Sequence, residues 1–240
     1  MRIRVIHAMT GMTDEMKDNE EKLLKKFCKR ETELEIACIS EGSSSIESRF
    51  DEYIGAVNTL KLVKEAEDLG FDGAVITCFG NACLEPAKEL VNIPVTASGE
   101  ASMLLAASLC QRFSIIGTLE RARDRHEIEA KKLGVYSKFV SERAVKMNVL
   151  DLHKDRNVLL NAMVEAGRKA IQEDGAQVLI PGCFGMIGMA ADMQKELKVP
   201  VIEPAGALMK LIETLIELNL CQSPLAYPVP PKKKRSFNIL

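Results

Sequence analysis

The tripeptide Cys-Phe-Gly occurs twice, in VITCFGNAC (Val75 to Cys83) and in LIPGCFGMIG (Leu179 to Gly188), each time after an apolar, β-branched run. Other residues recur around it in the same order. Asp72-Gly73-Ala74, Ile93-Pro94-Val95 and Gly99 with Ala101 are echoed by Asp174-Gly175-Ala176, Val199-Pro200-Val201 and Gly206-Ala207. From cysteine to proline the spacing is 16 residues in one copy and 17 in the other. So many coincidences in one order imply a duplicated unit, and they restrict the fold to two similar lobes, each carrying a strand–cysteine–helix segment.

The rest of the chain fits that plan. Apolar strand-like runs (RIRVIHA, ELEIACIS, GAVIT, IPVTA, FSIIG, a short run near 136–141, QVLIP, VPVIE) alternate with stretches of helical period. The helices are expected from about Thr13, from about Ser48, after Cys78, from Ser98 through Cys110, from Leu119 to Leu133, from about Asp155, after QVLIP and from Ala205 to Leu220. Such alternation predicts an α/β protein of two pseudo-symmetric lobes, each a parallel sheet flanked by helices. The first lobe is expected to comprise residues 1–97 completed by 205–222, the second 98–204, with 223–240 as an extended tail. Ligands in such sheets bind beyond the carboxyl ends of the strands, where both cysteines fall, so the active site is expected in the cleft between the lobes.

Composition narrows the function classes. The chain has 240 residues, 47% of them apolar, enough for buried cores. A net charge of −2, no Trp, three Tyr and no broad basic stripe argue against a nucleic-acid surface and for a small-molecule partner. No run has the length of a signal peptide or a membrane span, so no membrane role and a cytoplasmic location are expected. Seven cysteines, an odd number, suggest free thiols in a reducing compartment. No Cys-x-x-Cys pair is present and the three histidines lie far apart, so no metal site is expected.

A thiol at a helix N-terminus ionises more easily, because unpaired N–H groups and the helix dipole favour the thiolate. Cys28, Cys38, Cys110 and Cys221 read as small buried hydrophobes, as does Cys83 inside the helix expected after Cys78. Cys78 and Cys183 read differently because they share one position in both lobes. Two groups facing each other across a substrate are what inversion at carbon needs: one takes a proton and the other returns one to the opposite face. The backbone N–H groups of Gly80, Asn81, Gly185 and Met186, at the two expected helix starts, are candidates to hold an enolate-like oxygen. Thiol redox chemistry and non-catalytic ligand binding remain as alternatives from other classes.

The stretches DGAVITCFGNACLEPAKEL, GCFGM, EGSSSIESRFDEY and SERAVKMNVLDL resemble the aspartate/glutamate/hydantoin racemase family, most of all its hydantoin and allantoin racemase branch. The resemblance runs through nearly all of residues 1–222. It implies a cofactor-independent, two-lobed isomerase with Cys78 and Cys183 as acid and base. Amino-acid racemases of the family typically follow the cysteines with Asn-Thr and with Thr-His or Thr-Glu. Here the residues are Phe79-Gly80 and Phe184-Gly185, which suit a neutral 5-substituted hydantoin or allantoin-like ring better than a charged amino acid. Racemisation of aspartate or glutamate is the second reading.

The resemblance also makes the loop holding Ser45 and Glu47 a wall of the cleft. Phe79 and Phe184 are candidates to line the pocket, and His7 to touch substrate. The first strand, however, ends in His7-Ala8-Met9-Thr10, where hydantoin racemases resemble Asn-Pro-Asn followed by Thr or Ser. The run GTLERARDRHEIEAKK, which includes His126, reads as an exposed helix face. The proline-rich tail with its KKKR run reads as a solvated, poorly packed extension. Many enzymes of the family are oligomers, and a homo-oligomer is compatible with the sequence.

Overall fold

The computed structural model describes residues 1–234; Arg235 of the KKKR run and the rest of the tail lie outside the described residues. The chain divides into two compact units, residues 1–97 with 208–240 and residues 98–207.

The first unit runs β1 (Arg2–His7), α1 (Asp14–Leu24), β2 (Glu33–Cys38), α2 (Arg49–Asp68), β3 (Gly73–Ile76), α3 (Leu84–Leu90) and β4 (Val95–Ala97). Its strands pair in the order β2-β1-β3-β4, all parallel. Both long helices open on hydroxyl caps: Thr13 accepts from the Met16 N–H and Ser48 from the Asp51 N–H. The core gathers Ile6, Val63, Phe71, Ile76 and Leu84 from sheet and helices.

The second unit repeats the pattern with α4 (Ser98–Leu109), β5 (Phe113–Gly117), α5 (Arg123–Lys132), β6 (Phe139–Ala144), α6 (Arg156–Asp174), β7 (Val178–Pro181) and α7 (Ala190–Leu197). Its strands pair in the order β6-β5-β7, again parallel. The strand expected over VPVIE reduces to a single bridge between Leu179 and Val201. Pro200 supplies no N–H and Pro204 opens the last helix, α8 (Pro204–Glu217), so only one ladder step fits between them. Ile116, Leu159, Met163, Leu179 and Met193 form the core of this unit.

Matching hydrogen bonds define the internal repeat. Asp72 N–H donates to the Arg2 carbonyl and Gln177 N–H to the Arg112 carbonyl (2.8 and 2.9 Å). Thr77 donates to Ile6 as Gly182 does to Ile116 (3.1 and 2.7 Å), and Ala74 to Pro94 as Leu179 does to Pro200 (both 3.1 Å). These pairs make Cys78 equivalent to Cys183, but they shift the Asp-Gly-Ala echo out of register. Gly175 ends α6 at φ 73, and its counterpart is Gly70, φ 71, in the turn after α2; both need the left-handed conformation that glycine tolerates.

The second half of α8 belongs to the first unit. There Glu213, 2% exposed, accepts from the Lys29 N–H and the Thr32 hydroxyl, both at 2.7 Å. Past α8, Gln222 accepts from the Val95 N–H and donates to the Val91 and Ile93 carbonyls, covering the free edge at β4. The start of the tail is therefore anchored, while Leu225 (94% exposed) and Val229 project outward. The face of α5 expected to be exposed is broken by His126, which is buried.

Candidate active site

The two cysteines sit in matching turns just past β3 and β7. Asn81 N–H donates to the Cys78 carbonyl at 3.0 Å, and Met186 N–H donates to the Cys183 carbonyl at 3.0 Å. Each turn therefore runs Cys-Phe-Gly-X, closed by X. This corrects two expectations. The N–H groups of Asn81 and Met186 are spent inside the turns and are not donors for a substrate. Nor do α-helices begin at the cysteines: α3 starts at Leu84 and α7 at Ala190. After Cys78, left-handed Asn81 and Cys83 (φ 55 and 58) delay the helix. After Cys183 a single 3-10 turn, Phe184–Met186, and left-handed Gly188 (φ 80) intervene. The helix dipole acts within about one turn, so it reaches these thiols weakly. Cys83, expected inside a helix, is instead its N-cap.

Gly80 and Gly185 sit third in the turns, where the N–H takes no part in the closing bond. Cys78 and Cys183 are both half-buried. Phe79 and Phe184, by contrast, are 3% and 6% exposed, so their rings present little surface, and the Met186 side chain lies wholly in the core of the second unit. Gly182, just before Cys183, is held tightly: a Cβ there would lie 2.5 Å from Ile115 Cγ2 and 3.2 Å from the Ile116 carbonyl. A Cβ on Gly185 would lie 3.6 Å from both Cys183 Sγ and His153 Nε2. His153 therefore reaches the Cys183 turn, a placement that nothing in its sequence neighbourhood signals.

The other five thiols are poor bases. Burial, reinforced by Glu52 and Cys78, pushes Cys83 up to about 12, and burial pushes Cys28 up to about 11. Cys38, Cys110 and Cys221 are raised by burial as well. Neutral thiols of this kind neither abstract protons nor attack carbonyls near pH 7.

Ser45 is half-buried on a loop that is braced from both sides. Asp51 accepts from the Ser43 and Ser48 hydroxyls (3.0 and 2.7 Å) and from the Glu47 N–H (3.1 Å), while Thr10 N–H donates to the Ser43 carbonyl (2.9 Å). Burial alone would raise the Asp51 pKa, but these donors hold it below the usual carboxylate range. His7 is only 4% exposed. Its Nε2 lies 2.7 Å from Glu20 Oε1 and its Nδ1 lies 3.0 Å from Thr77 Oγ1, so it is a buried residue behind the Cys78 turn.

Glu203 is a further residue that sequence reasoning passed over. Its Oε2 accepts the Gly188 N–H at 2.9 Å. This bond holds the end of the Cys183 loop, and burial raises the Glu203 pKa. A lone glutamate between VPVI and the helix-opening Pro204 was the signal available.

Residues 5–212 match the profile of the family described as Asp/Glu/Hydantoin racemase. The chain belongs to this family. Membership makes it an enzyme, an isomerase, and one that acts on a small molecule. It is 32% identical to a hydantoin racemase of Pseudomonas sp. (strain NS671) over 98% of this chain and 94% of that protein. Among solved structures it is similar to allantoin racemase from Klebsiella pneumoniae, with TM-score 0.91 and 32% identity over 99% of this chain and 96% of that one. The allantoin racemase from Pseudomonas fluorescens gives TM-score 0.92 at 30% identity, over 98% and 99% of the two chains. These likenesses agree with the two parallel, helix-flanked sheets seen in the racemase. Among its described residues no helix is long and apolar enough to cross a membrane.

Proposed function

We propose that the racemase needs no cofactor and inverts the carbon next to a ring carbonyl in a 5-substituted hydantoin or allantoin-like ring, with Cys78 and Cys183 as its two acid–base groups. One observation carries this reading: just past the equivalent strand, each unit carries a cysteine whose carbonyl closes the same turn, with a glycine inside. One sulfur, as thiolate, takes the proton on its side of the carbon, and the C–H electron pair moves into the adjacent carbonyl to give an enolate. The other sulfur, as thiol, gives its proton to the opposite face as the pair returns, and is left as thiolate. The reverse reaction exchanges the roles.

The Gly80 and Gly185 N–H groups are the backbone donors proposed for substrate oxygens, since glycine lets the main chain approach closely. Ser45 is proposed to wall the site from its braced loop. A neutral ring is favoured because Phe79 and Phe184 stand where amino-acid racemases carry polar side chains, and because the similar proteins are named hydantoin and allantoin racemases. Seven cysteines carrying thiols suit a reducing compartment, and the cytoplasm is the location proposed.

The test is incubation in D2O, without added metal or cofactor, with optically pure 5-substituted hydantoins, allantoin, aspartate and glutamate. Polarimetry and NMR should report loss of rotation together with deuterium at the inverted carbon for a ring substrate. Cys78→Ser or Cys183→Ser should slow racemisation by about a hundredfold or more. Full-rate racemisation by both variants would falsify the two-thiol reading, and turnover of aspartate or glutamate alone would move the substrate to the second reading.

A further inference from the structure

Behind the Cys78 turn the buried side chains of His7 and Thr77 and the half-buried one of Glu20 are in hydrogen-bond contact. Glu20 comes from α1, His7 ends β1 and Thr77 follows β3 directly before Cys78. Glu20 Oε1 lies 2.7 Å from His7 Nε2, and His7 Nδ1 lies 3.0 Å from Thr77 Oγ1. His7 and Thr77 are 4% and 3% exposed, and the Glu20 side chain is 12% exposed. The His7 ring bridges the two side chains, and the Thr77 hydroxyl also lies 3.4 Å from the Ile6 carbonyl. Thr77 is also tied through its backbone, its N–H donating to the Ile6 carbonyl at 3.1 Å. Main chain and side chain together therefore pin to β1 the residue from which Cys78 departs.

We infer that Glu20, His7 and Thr77 form a strut that positions Cys78, and that it makes the two thiols chemically inequivalent. The internal repeat supplies the contrast. The bonds of Ile39 N–H to the His7 carbonyl and of Val145 N–H to the Gly117 carbonyl (3.2 and 2.9 Å) make Gly117 the counterpart of His7. Gly182 is likewise the counterpart of Thr77. Neither glycine has a side chain with which to build such a strut. The space above Gly117 is taken instead by the carboxylate of Glu142, in contact with a Cβ placed there. That carboxylate pairs with His126 Nδ1 at 2.8 Å, a buried histidine–glutamate pair of a different origin. His7, Glu20 and Thr77 are thus positioning residues, acting on chemistry through the placement of Cys78. The inference relies on the proposed function only in treating Cys78 as catalytic.

Its test does not require racemisation. In the full chain, the rates of iodoacetamide alkylation of Cys78 and Cys183 are followed by peptide mass spectrometry at one pH, with Cys183 as internal control. Thr77→Val and His7→Asn should change the Cys78 rate by about fivefold or more and leave Cys183 within about twofold, while Thr77→Ser, which keeps the hydroxyl, restores it. With a ring substrate in hand, Thr77→Val should lower kcat more than it changes KM. The inference is overturned if Thr77→Val and His7→Asn leave Cys78 alkylation unmoved, if both cysteines shift together, or if Thr77→Ser behaves as Thr77→Val does. A failed racemase assay with a selective Cys78 response would sink the proposed function and leave the strut standing.

Discussion

Gly182 shows how little freedom the main chain has beside Cys183. A methyl group there would press on Ile115 Cγ2 at 2.5 Å and on the Ile116 carbonyl, and the β5 backbone has nowhere to move without disturbing both of its neighbours. Gly182→Ala should therefore cost about 1–3 kcal/mol by overpacking, read from urea denaturation. With Cys183 in its proposed acid–base role, the change should also lower kcat/KM by about tenfold to a hundredfold, because a misplacement of about 1 Å at a reacting atom costs that much. The equivalent site in the first unit carries Thr77, and the hydroxyl there has a partner in His7. One position thus serves packing in one unit and hydrogen bonding in the other.

Between elements, the end of α6 is locked to β6 by charge. Arg143 donates from Nε and Nη2 to the two oxygens of Asp174 (2.8 and 2.6 Å), and the Ser141 hydroxyl donates to Asp174 at 2.6 Å. Arg143 foremost, with Ser141, holds the Asp174 carboxyl below its ordinary pKa. A depressed folded-state pKa contributes stability above the unfolded value, and that stability is lost as pH falls through the folded one. Asp174→Asn should therefore destabilise the protein by about 1–3 kcal/mol at pH 7. The gap to the wild type should close as the pH is lowered beneath the usual aspartate range, as urea midpoints at several pH values will report. The elements themselves were legible from the sequence, since apolar runs of period two and helical stretches alternate with little ambiguity. The turns at the cysteines were not. Left-handed Asn81 and Cys83 interrupt what looks in sequence like the start of a helix, because a non-glycine residue at positive φ leaves no mark in hydrophobic periodicity. Glu20 was invisible for another reason: it meets His7 across a tertiary contact that no local pattern encodes.

At the scale of the whole molecule, the first unit is assembled from both ends of the chain. Glu213 joins α8 to the segment after α1, satisfying the Lys29 N–H and the Thr32 hydroxyl across more than 180 residues of sequence. Glu213→Ala leaves the Lys29 N–H and the buried Thr32 hydroxyl without their acceptor and should cost about 1–3 kcal/mol, seen as a lower Tm. The repeat in the sequence announced a pair of similar lobes, and its cysteine-to-proline spacing identified equivalent strands. It could not show that the Asp-Gly-Ala echo was a coincidence of composition, which only the hydrogen-bond registers of the two sheets reveal. The split of the first unit also sets an order of events during synthesis. A ribosome has delivered all of residues 98–207 before it releases the helical turns that complete the first unit, so the later-encoded sheet can mature on the nascent chain while the earlier one waits for its closing piece.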